Sequence, residues 1–86
     1  MKFKITFLLA ENIKNPIVFQ RVTRIQCYGL IGSTGEIDIE TNAIQTHEYS
    51  TSCAYRLYAD DKLLGIVDGW ATKIAAILVE EYNPKI

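Results

Sequence analysis

The clearest structural signal in the chain is the stretch CAYRLYADDKLLGIV at residues 53–67. It consists of two apolar and aromatic runs, residues 53–59 and 63–67, on either side of Asp60-Asp61-Lys62. Aspartate favours turns because its carboxylate accepts hydrogen bonds from the nearby backbone, and strand-forming runs around such a turn are typical of a β-hairpin. The stretch therefore predicts a hairpin, and with it an antiparallel sheet.

Alternation predicts further strands on the N-terminal side of this hairpin. Residues 2–10 place apolar side chains on one face and lysine or threonine on the other, which is the period of a half-buried strand. Their apolar run is also too short for the core of a secretory signal peptide. Residues 36–41 alternate isoleucine with acidic side chains and predict another strand, whereas residues 41–52 follow no clear pattern.

The strand region between residues 17 and 28 has irregular spacing. Phe19, Val22 and Ile25 recur every three residues, which fits neither a regular strand nor a helix of useful length. A β-bulge sets two residues of one strand opposite one residue of its partner and so shifts the alternation by one position. We therefore predict a bulge or tight bend near Arg21, with all three apolar side chains in the core.

The C-terminal segment is predicted to form a helix. Asp68 is a favourable N-cap and Asn83-Pro84 a favourable stop, so the predicted helix runs from Gly69 to Tyr82. At about 100° per residue its apolar side chains spread over an arc of roughly 200°, about twice what a helix covering one sheet needs. We therefore expect part of this apolar surface to lie outside the core.

Together these elements predict an α+β fold. A chain of 86 residues has the size of one domain. Its hydrophobic content of 49% and charged content of 22% exclude a disordered chain. We expect residues 1–86 to form a single domain with a four- to five-stranded antiparallel, meander-like sheet and one C-terminal helix packed on one face.

The apolar surplus is the feature that bears on function. Alternation assigns Tyr55, Leu57, Leu64 and Ile66 to one face of the hairpin and Tyr58, Leu63 and Val67 to the other. The helix can cover only one of these faces, and large exposed apolar patches usually mark interaction surfaces. We therefore expect a protein partner, most simply a second copy in a homodimer; the alternative is that loops fold over the second face. The expected contact residues are Tyr58, Leu63, Trp70 and Ile77, with Leu30 and Ile31 as loop contacts.

The charge balance argues against a general nucleic-acid binder. Nine Lys and Arg residues against ten Asp and Glu residues leave a net charge of −1, whereas non-specific nucleic-acid binding usually requires a strongly basic surface. A nucleic-acid-associated accessory protein stays the alternative function, through a sheet face that combines basic and aromatic side chains. Its candidates are Lys2, Lys4, Arg21, Arg24, Arg56, Tyr28, Tyr55 and Tyr58.

The sequence contains no membrane-spanning run, and its default compartment is the cytoplasm. No apolar segment approaches the roughly 18 residues that a membrane helix needs. Cys27 and Cys53 match no metal-binding spacing and both fall in predicted strands, where a buried cysteine behaves as a small apolar side chain. Free thiols are therefore favoured, with a disulfide between the two as the alternative.

A short motif in the hairpin raises the question of metal-dependent catalysis. Tyr58-Ala59-Asp60-Asp61 resembles the Tyr-x-Asp-Asp turn of reverse transcriptases. That resemblance implies paired aspartates holding metal ions, together with a third carboxylate in a much longer chain. The matched segment is short and 86 residues cannot hold the remaining parts of such an enzyme, so we interpret the aspartates as turn formers.

The remaining motifs give no catalytic or cofactor site. Gly29, Gly32 and Gly35 have neither the Walker A nor the GxGxxG spacing, and they precede a predicted strand rather than a helix. His47 is the only histidine and too little for a zinc site. We expect no enzymatic activity, no cofactor and no metal. The expected function is that of a small interaction module, with a small enzyme as the third possibility.

Overall fold

The chain forms two antiparallel sheets in the part that the structure describes. The computed structural model describes residues 2–29, 34–37, 39, 53–69 and 73–83, and these residues contain seven strands and no helix. The strands are β1 (Phe3–Leu9), β2 (Ile17–Val22), β3 (Arg24–Gly29), β4 (Thr34–Ile37), β5 (Cys53–Ala59), β6 (Lys62–Asp68) and β7 (Ile74–Glu81). One sheet has the order β2-β1-β7 and the other the order β4-β3-β5-β6.

Strand β1 is the centre of the three-stranded sheet because it is apolar on one face along its whole length. Phe3, Ile5 and Phe7 alternate with less buried neighbours, and Ile5 and Phe7 are fully buried. Strands β2 and β7 pair with it antiparallel on its two sides. This placement confirms the strand predicted at residues 2–10.

The hairpin predicted at residues 53–67 is confirmed as β5 and β6, the last two strands of the four-stranded sheet. Asp60 lies in the turn between them with a positive φ of 56°, a conformation that aspartate tolerates better than most side chains. Its backbone N–H donates to Thr23 Oγ1 at 2.6 Å. The turn is thereby attached to the segment that precedes β3.

The core lies between the two sheets, which pack face to face. The Phe7 ring of β1 is 5.6 Å from the Tyr55 ring of β5, measured between centroids. Phe19 of β2 comes so close to β6 that a Cβ atom at Gly65 would lie 2.6 Å from its ring. The buried cluster draws on both sheets and contains Phe3, Ile5, Phe7, Val22, Ile25, Ile39, Tyr55, Leu57, Val67 and Ile77.

The chain passes directly from one sheet to the other at Thr23. This residue lies between β2 and β3, and its backbone N–H donates to the carbonyl oxygen of Tyr58 at 2.8 Å. Strands that change sheets in this way usually do so at bulges or bends. The corner brings the end of β2 against β5 and closes one side of the core.

The bulge predicted near Arg21 is confirmed. The register of β2 against β1 shifts within this segment, and Arg21 has a positive φ of 63°. The extra residue restores the inward orientation that a regular strand would have lost. The three side chains concerned, Phe19, Val22 and Ile25, all contribute to the core.

The predicted helix from Gly69 to Tyr82 is wrong. Residues 74–81 form strand β7, in which Ile77 is 2% exposed, Leu78 is 43% exposed and Val79 packs against the core. This inward–outward alternation has the period of a strand, and it explains why the helical projection gave an arc too wide for one apolar face. As a strand, the segment also pairs with the second side of β1.

The α+β class and the single sheet are therefore also wrong. Each sheet buries its apolar face against the other sheet, so the described part of the chain needs no helix to cover it. The antiparallel pairing is confirmed in both sheets. The strand predicted at residues 36–41 overlaps β4 at residues 36–37, and residues 38 and 40–52 lie outside the described part.

The preference for free thiols is wrong as well. Cys27 of β3 is disulfide-bonded, and Cys53 is the one other cysteine in the sequence. Cys27 pairs in register with Tyr55, two residues along β5 from Cys53. The disulfide therefore fixes Cys27 covalently on β3, one of the two inner strands of the described four-stranded sheet.

Candidate interaction surface

The outer face of the four-stranded sheet carries the candidate site. In the register of the sheet, Arg24 of β3 is followed by Tyr58 of β5 and Leu63 of β6 across one row. Gln26, Arg56 and Ile66 form the next row. We use the name "outer face" for these six residues, which lie opposite the core side of the sheet.

A bulge in β6 brings two of its large apolar side chains to the outer face. Leu63 is opposite Tyr58, whereas Gly65 is opposite Leu57, so the register shifts between these pairs and Leu64 is the extra residue. Leu63 and Ile66 are three residues apart and would lie on opposite faces of a regular strand. Here they are 46% and 51% exposed on the same side.

Tyr58 is held by two polar partners on the neighbouring strand β3. The Arg24 guanidinium carbon lies 4.2 Å from the centroid of the Tyr58 ring, within the range of a cation–π interaction. The Tyr58 hydroxyl donates to Gln26 Oε1 at 3.2 Å. The ring is therefore fixed on the sheet beside Leu63, with little side-chain freedom left to lose on binding.

Strand β6 is also an edge of its sheet. In the strand order β4-β3-β5-β6, no described strand follows β6. An edge strand presents unpaired backbone N–H and C=O groups to any strand that approaches. Leu63 and Ile66 therefore lie on the last described strand of this sheet.

The other sheet has a smaller apolar patch on its own outward side. Val18 and Leu78 are each 43% exposed, and both lie opposite Thr6 in register. Thr6 between them is only 8% exposed. The sheet also has an arginine–tyrosine contact, with the Arg21 guanidinium carbon 5.8 Å from the centroid of the Tyr82 ring. Its two exposed apolar side chains lie on different strands, β2 and β7, rather than together on one strand, and the patch serves below as the matched control.

The predicted contact residues fall into three groups. Tyr58 and Leu63 lie together on the outer face. Ile77 belongs to the core at 2% exposure, so it is not a surface contact in this structure, because β7 turns it towards Phe7. Trp70, Leu30 and Ile31 lie outside the described residues.

Ile66 is the contact residue that sequence reasoning missed. Simple alternation placed Ile66 with Tyr55 and Leu57, whereas both of these are fully buried and Ile66 is exposed on the opposite side. The bulge at Leu64 causes the difference. Gly65 was the available signal, since glycine inside a strand often marks a bulge or a close approach.

The basic-aromatic surface is only partly assembled. Arg24, Arg56 and Tyr58 share the outer face, but Tyr55 is fully buried in the core. Lys2, Lys4 and Arg21 lie in or beside the three-stranded sheet. Arg21 there donates from Nε to the Tyr82 hydroxyl at 3.4 Å, and this hydrogen bond raises the pKa of the guanidinium.

Within the described ranges, no group of three or more His, Cys, Asp and Glu side chains is arranged to hold a metal ion. Asp60 and Asp61 form the exposed β5–β6 turn, and His47 lies outside these ranges. None of the described segments is a helix long and apolar enough to cross a membrane.

Comparison of the chain with protein-family models, with curated proteins and with solved structures gives no match. The geometry of the outer face therefore carries the functional argument.

Proposed function

We propose that this protein is a small, non-enzymatic interaction module that binds a protein partner, either a second copy of itself or another protein, through the outer face of its four-stranded sheet. The observation that carries the proposal is the exposure of Leu63 and Ile66 on one side of an edge strand. A regular strand would have separated these two side chains. The bulge at Leu64 brings them together beside Tyr58.

The composition of the outer face supports this function. Tyrosine and arginine are enriched among the residues that dominate the energetics of protein interfaces, and an apolar centre with a polar rim is the usual arrangement. Leu63 and Ile66 supply the apolar part, while Arg24, Gln26 and Arg56 supply polar side chains next to it. The net charge of −1 also opposes self-association only weakly.

The test compares charge substitutions on the two outward sides of the molecule. Leu63→Glu combined with Ile66→Glu should abolish self-association in sedimentation velocity and retention of any partner captured from the native host. Val18→Glu combined with Leu78→Glu is the matched control, because these side chains are similarly exposed on the other sheet, and it should retain both. Wild-type behaviour of the Leu63/Ile66 variant in both assays would refute the proposal.

The disulfide bears on the compartment in which this binding takes place. The cytoplasmic location expected from the sequence stays a prediction, and the bond at Cys27 weighs against it. Structural disulfides form and persist in oxidising compartments and are rare in the cytosol. We therefore favour an oxidising compartment as the place where the folded module acts.

A nucleic-acid-associated role is the second candidate because two arginines and a tyrosine converge on the same face. Arg24 and Arg56 flank Tyr58 in the sheet, and aromatic rings beside basic groups can stack single-stranded bases. Binding of this kind weakens steeply as salt rises. A fluorescently labelled oligonucleotide should then bind at low salt and lose affinity in Arg56→Ala; no anisotropy change at low salt would exclude this role.

A further inference from the structure

The contact between Arg21 and Tyr82 crosses a strand on the outward side of the three-stranded sheet. Arg21 lies in β2 and Tyr82 directly follows β7, and these two strands flank β1 on opposite sides. Val22, next to Arg21, is fully buried, so the arginine points away from the core. Its Nε donates to the Tyr82 hydroxyl at 3.4 Å. The contact therefore passes over the outward side of β1.

Two lysines of the N-terminal segment lie beside this contact. Lys4 of β1 alternates with two core residues, so its side chain belongs to the outward side. The register places the bulge that contains Arg21 opposite Lys4. The carbonyl oxygen of Lys2 accepts a hydrogen bond from the backbone N–H of Tyr82 at 2.9 Å. Alternate residues of a strand share a face about 7 Å apart, so the two lysines flank the crossing side chains.

The hydrogen bond between Arg21 and Tyr82 leaves donors for a ligand. A guanidinium group has five N–H donors, and this bond uses only the one at Nε. The Tyr82 oxygen accepts this bond, so its own O–H can donate to another group. The tyrosine ring also restrains the guanidinium, whose carbon lies 5.8 Å from the ring centroid. Two terminal guanidinium nitrogens and one hydroxyl are thus presented together.

The charge on this side of the sheet is positive although the whole chain is slightly acidic. Arg21 and Lys2 are exposed, and Lys4 is half-buried. Glu80 is the described carboxylate on the same side, opposite Lys4 in register, whereas Glu81 belongs by alternation to the other face. Three cations against one carboxylate favour an anion. Arginine suits an oxyanion in particular because two parallel N–H···O bonds match the spacing of its oxygens.

We propose that Arg21, Lys2, Lys4 and the Tyr82 hydroxyl bind a sulfate or phosphate group on the outward side of the three-stranded sheet. The terminal guanidinium nitrogens and the tyrosine O–H supply directed hydrogen bonds, and the two ammonium groups add positive charge. A tetrahedral oxyanion has enough oxygen atoms to accept from all of these donors. The site lies on the other sheet from the outer face, so it adds a ligand to the proposed module and does not depend on the protein partner.

The first test is a nuclear magnetic resonance titration of the unmodified chain with sodium sulfate and, separately, with sodium phosphate. Sodium chloride at the same ionic strength is the control, because screening of charges depends on ionic strength and not on the shape of the anion. Sulfate and phosphate should each give saturable shifts of the Arg21 Nε–H and of the Lys4 and Tyr82 backbone amides. Absence of saturable shifts, or equal shifts with chloride, would overturn the proposal.

Substitutions then identify the groups that hold the anion. Arg21→Asn removes the guanidinium while keeping a residue that tolerates the positive φ of 63°, and it should weaken sulfate binding about tenfold. Lys14→Ala removes the same charge from an exposed loop position and should bind as the wild type does. Equal affinities of these two variants would contradict the assignment.

Glu80→Gln tests the same site in the opposite direction and leaves the Arg21–Tyr82 contact in place. Removal of the one nearby carboxylate should tighten sulfate binding about threefold, because its repulsion of the anion is lost. Unchanged affinity in Glu80→Gln would place the anion elsewhere on the molecule. This variant also decides the question if Arg21→Asn folds poorly.

A heparin-derived tetrasaccharide distinguishes a free ion from a group carried on a larger molecule. If it shifts the Arg21 and Tyr82 resonances at lower concentration than sodium sulfate does, the site takes a sulfate group on a saccharide chain. If it needs the same or a higher concentration, the site takes the free ion. Tetrasaccharide shifts that leave Arg21 and Tyr82 unchanged would count against the site.

Discussion

At the scale of single residues, the two sheets approach each other closely at Gly65. A Cβ atom at this position would lie 2.6 Å from Cε1 and 3.0 Å from Cζ of Phe19, well inside van der Waals contact. No positive φ is involved at Gly65, so the glycine is required by space and not by backbone conformation. The ring of Phe19 therefore packs directly on the backbone of β6.

Gly65→Ala should destabilise the protein by about 1–3 kcal/mol because the added methyl group overpacks this contact. Gly35→Ala is the matched control, since nothing lies within 4 Å of its added Cβ atom and its φ is also not positive. Chemical denaturation of both variants measures the difference. A smaller loss for Gly65→Ala in a Phe19→Leu background would identify the ring as the cause, and equal losses in both backgrounds would contradict this account.

At the scale of elements, strand β7 is the segment for which sequence reasoning failed. Ile77 and Leu78 both belong to the apolar arc of the predicted helix, but the strand buries the first and leaves the second 43% exposed. Ile77→Ala should therefore cost about 2–5 kcal/mol, as expected for a buried isoleucine. Leu78→Ala should cost at most about 0.5 kcal/mol, as for an ordinary surface substitution. Equal losses in urea denaturation would favour a helix instead.

The disulfide gives a second prediction at this scale. Cys27→Ser, or reduction of the wild type, should lower the free energy of unfolding by about 2–4 kcal/mol, because an open chain gains more conformational freedom when unfolded. Thermal denaturation with and without dithiothreitol measures this loss. Intact mass before and after reduction should differ by two hydrogen atoms, and an unchanged mass would show that the thiols were already free.

Local patterns predicted most of the strands but not how they are layered. The β5–β6 hairpin could be predicted because its turn and its apolar runs lie within a few residues of each other. The bulge at Arg21 could be predicted because three apolar residues at odd spacing needed one extra residue to share a face. Both inferences use only neighbouring residues.

The errors arose where the decisive feature is the pairing between strands, which the alternation within one segment does not show. Strand β7 pairs with β1 at the other end of the chain. The sequence of the segment does not show this pairing, so the favourable N-cap at Asp68 led to the prediction of a helix. The faces of Ile66 and Val67 in β6 were assigned wrongly because the bulge at Leu64 is defined only by its register against β5. Tyr58 and Leu63 were therefore placed correctly on one side, while Ile66 was assigned to the wrong one.

At the scale of the whole molecule, the two packed sheets account in two ways for the apolar side chains that one sheet and one helix could not bury. Most of the apolar surface is buried between the sheets, and a remainder stays exposed on their outward sides. On the four-stranded sheet this remainder adjoins the Arg24–Tyr58 contact, and both exposed side chains lie on β6, the last described strand of that sheet. The patch formed by Val18 and Leu78 has one exposed side chain on each of two strands instead.

Nuclear magnetic resonance spectra recorded over a series of protein concentrations test this account most directly. The methyl resonances of Leu63 and Ile66 should shift as the concentration rises, because association transfers these side chains from water into a contact. Those of Val18 and Leu78, which are exposed on the other sheet, should stay in place. Shifts confined to Val18 and Leu78 would contradict the assignment of the contact to the outer face of the four-stranded sheet.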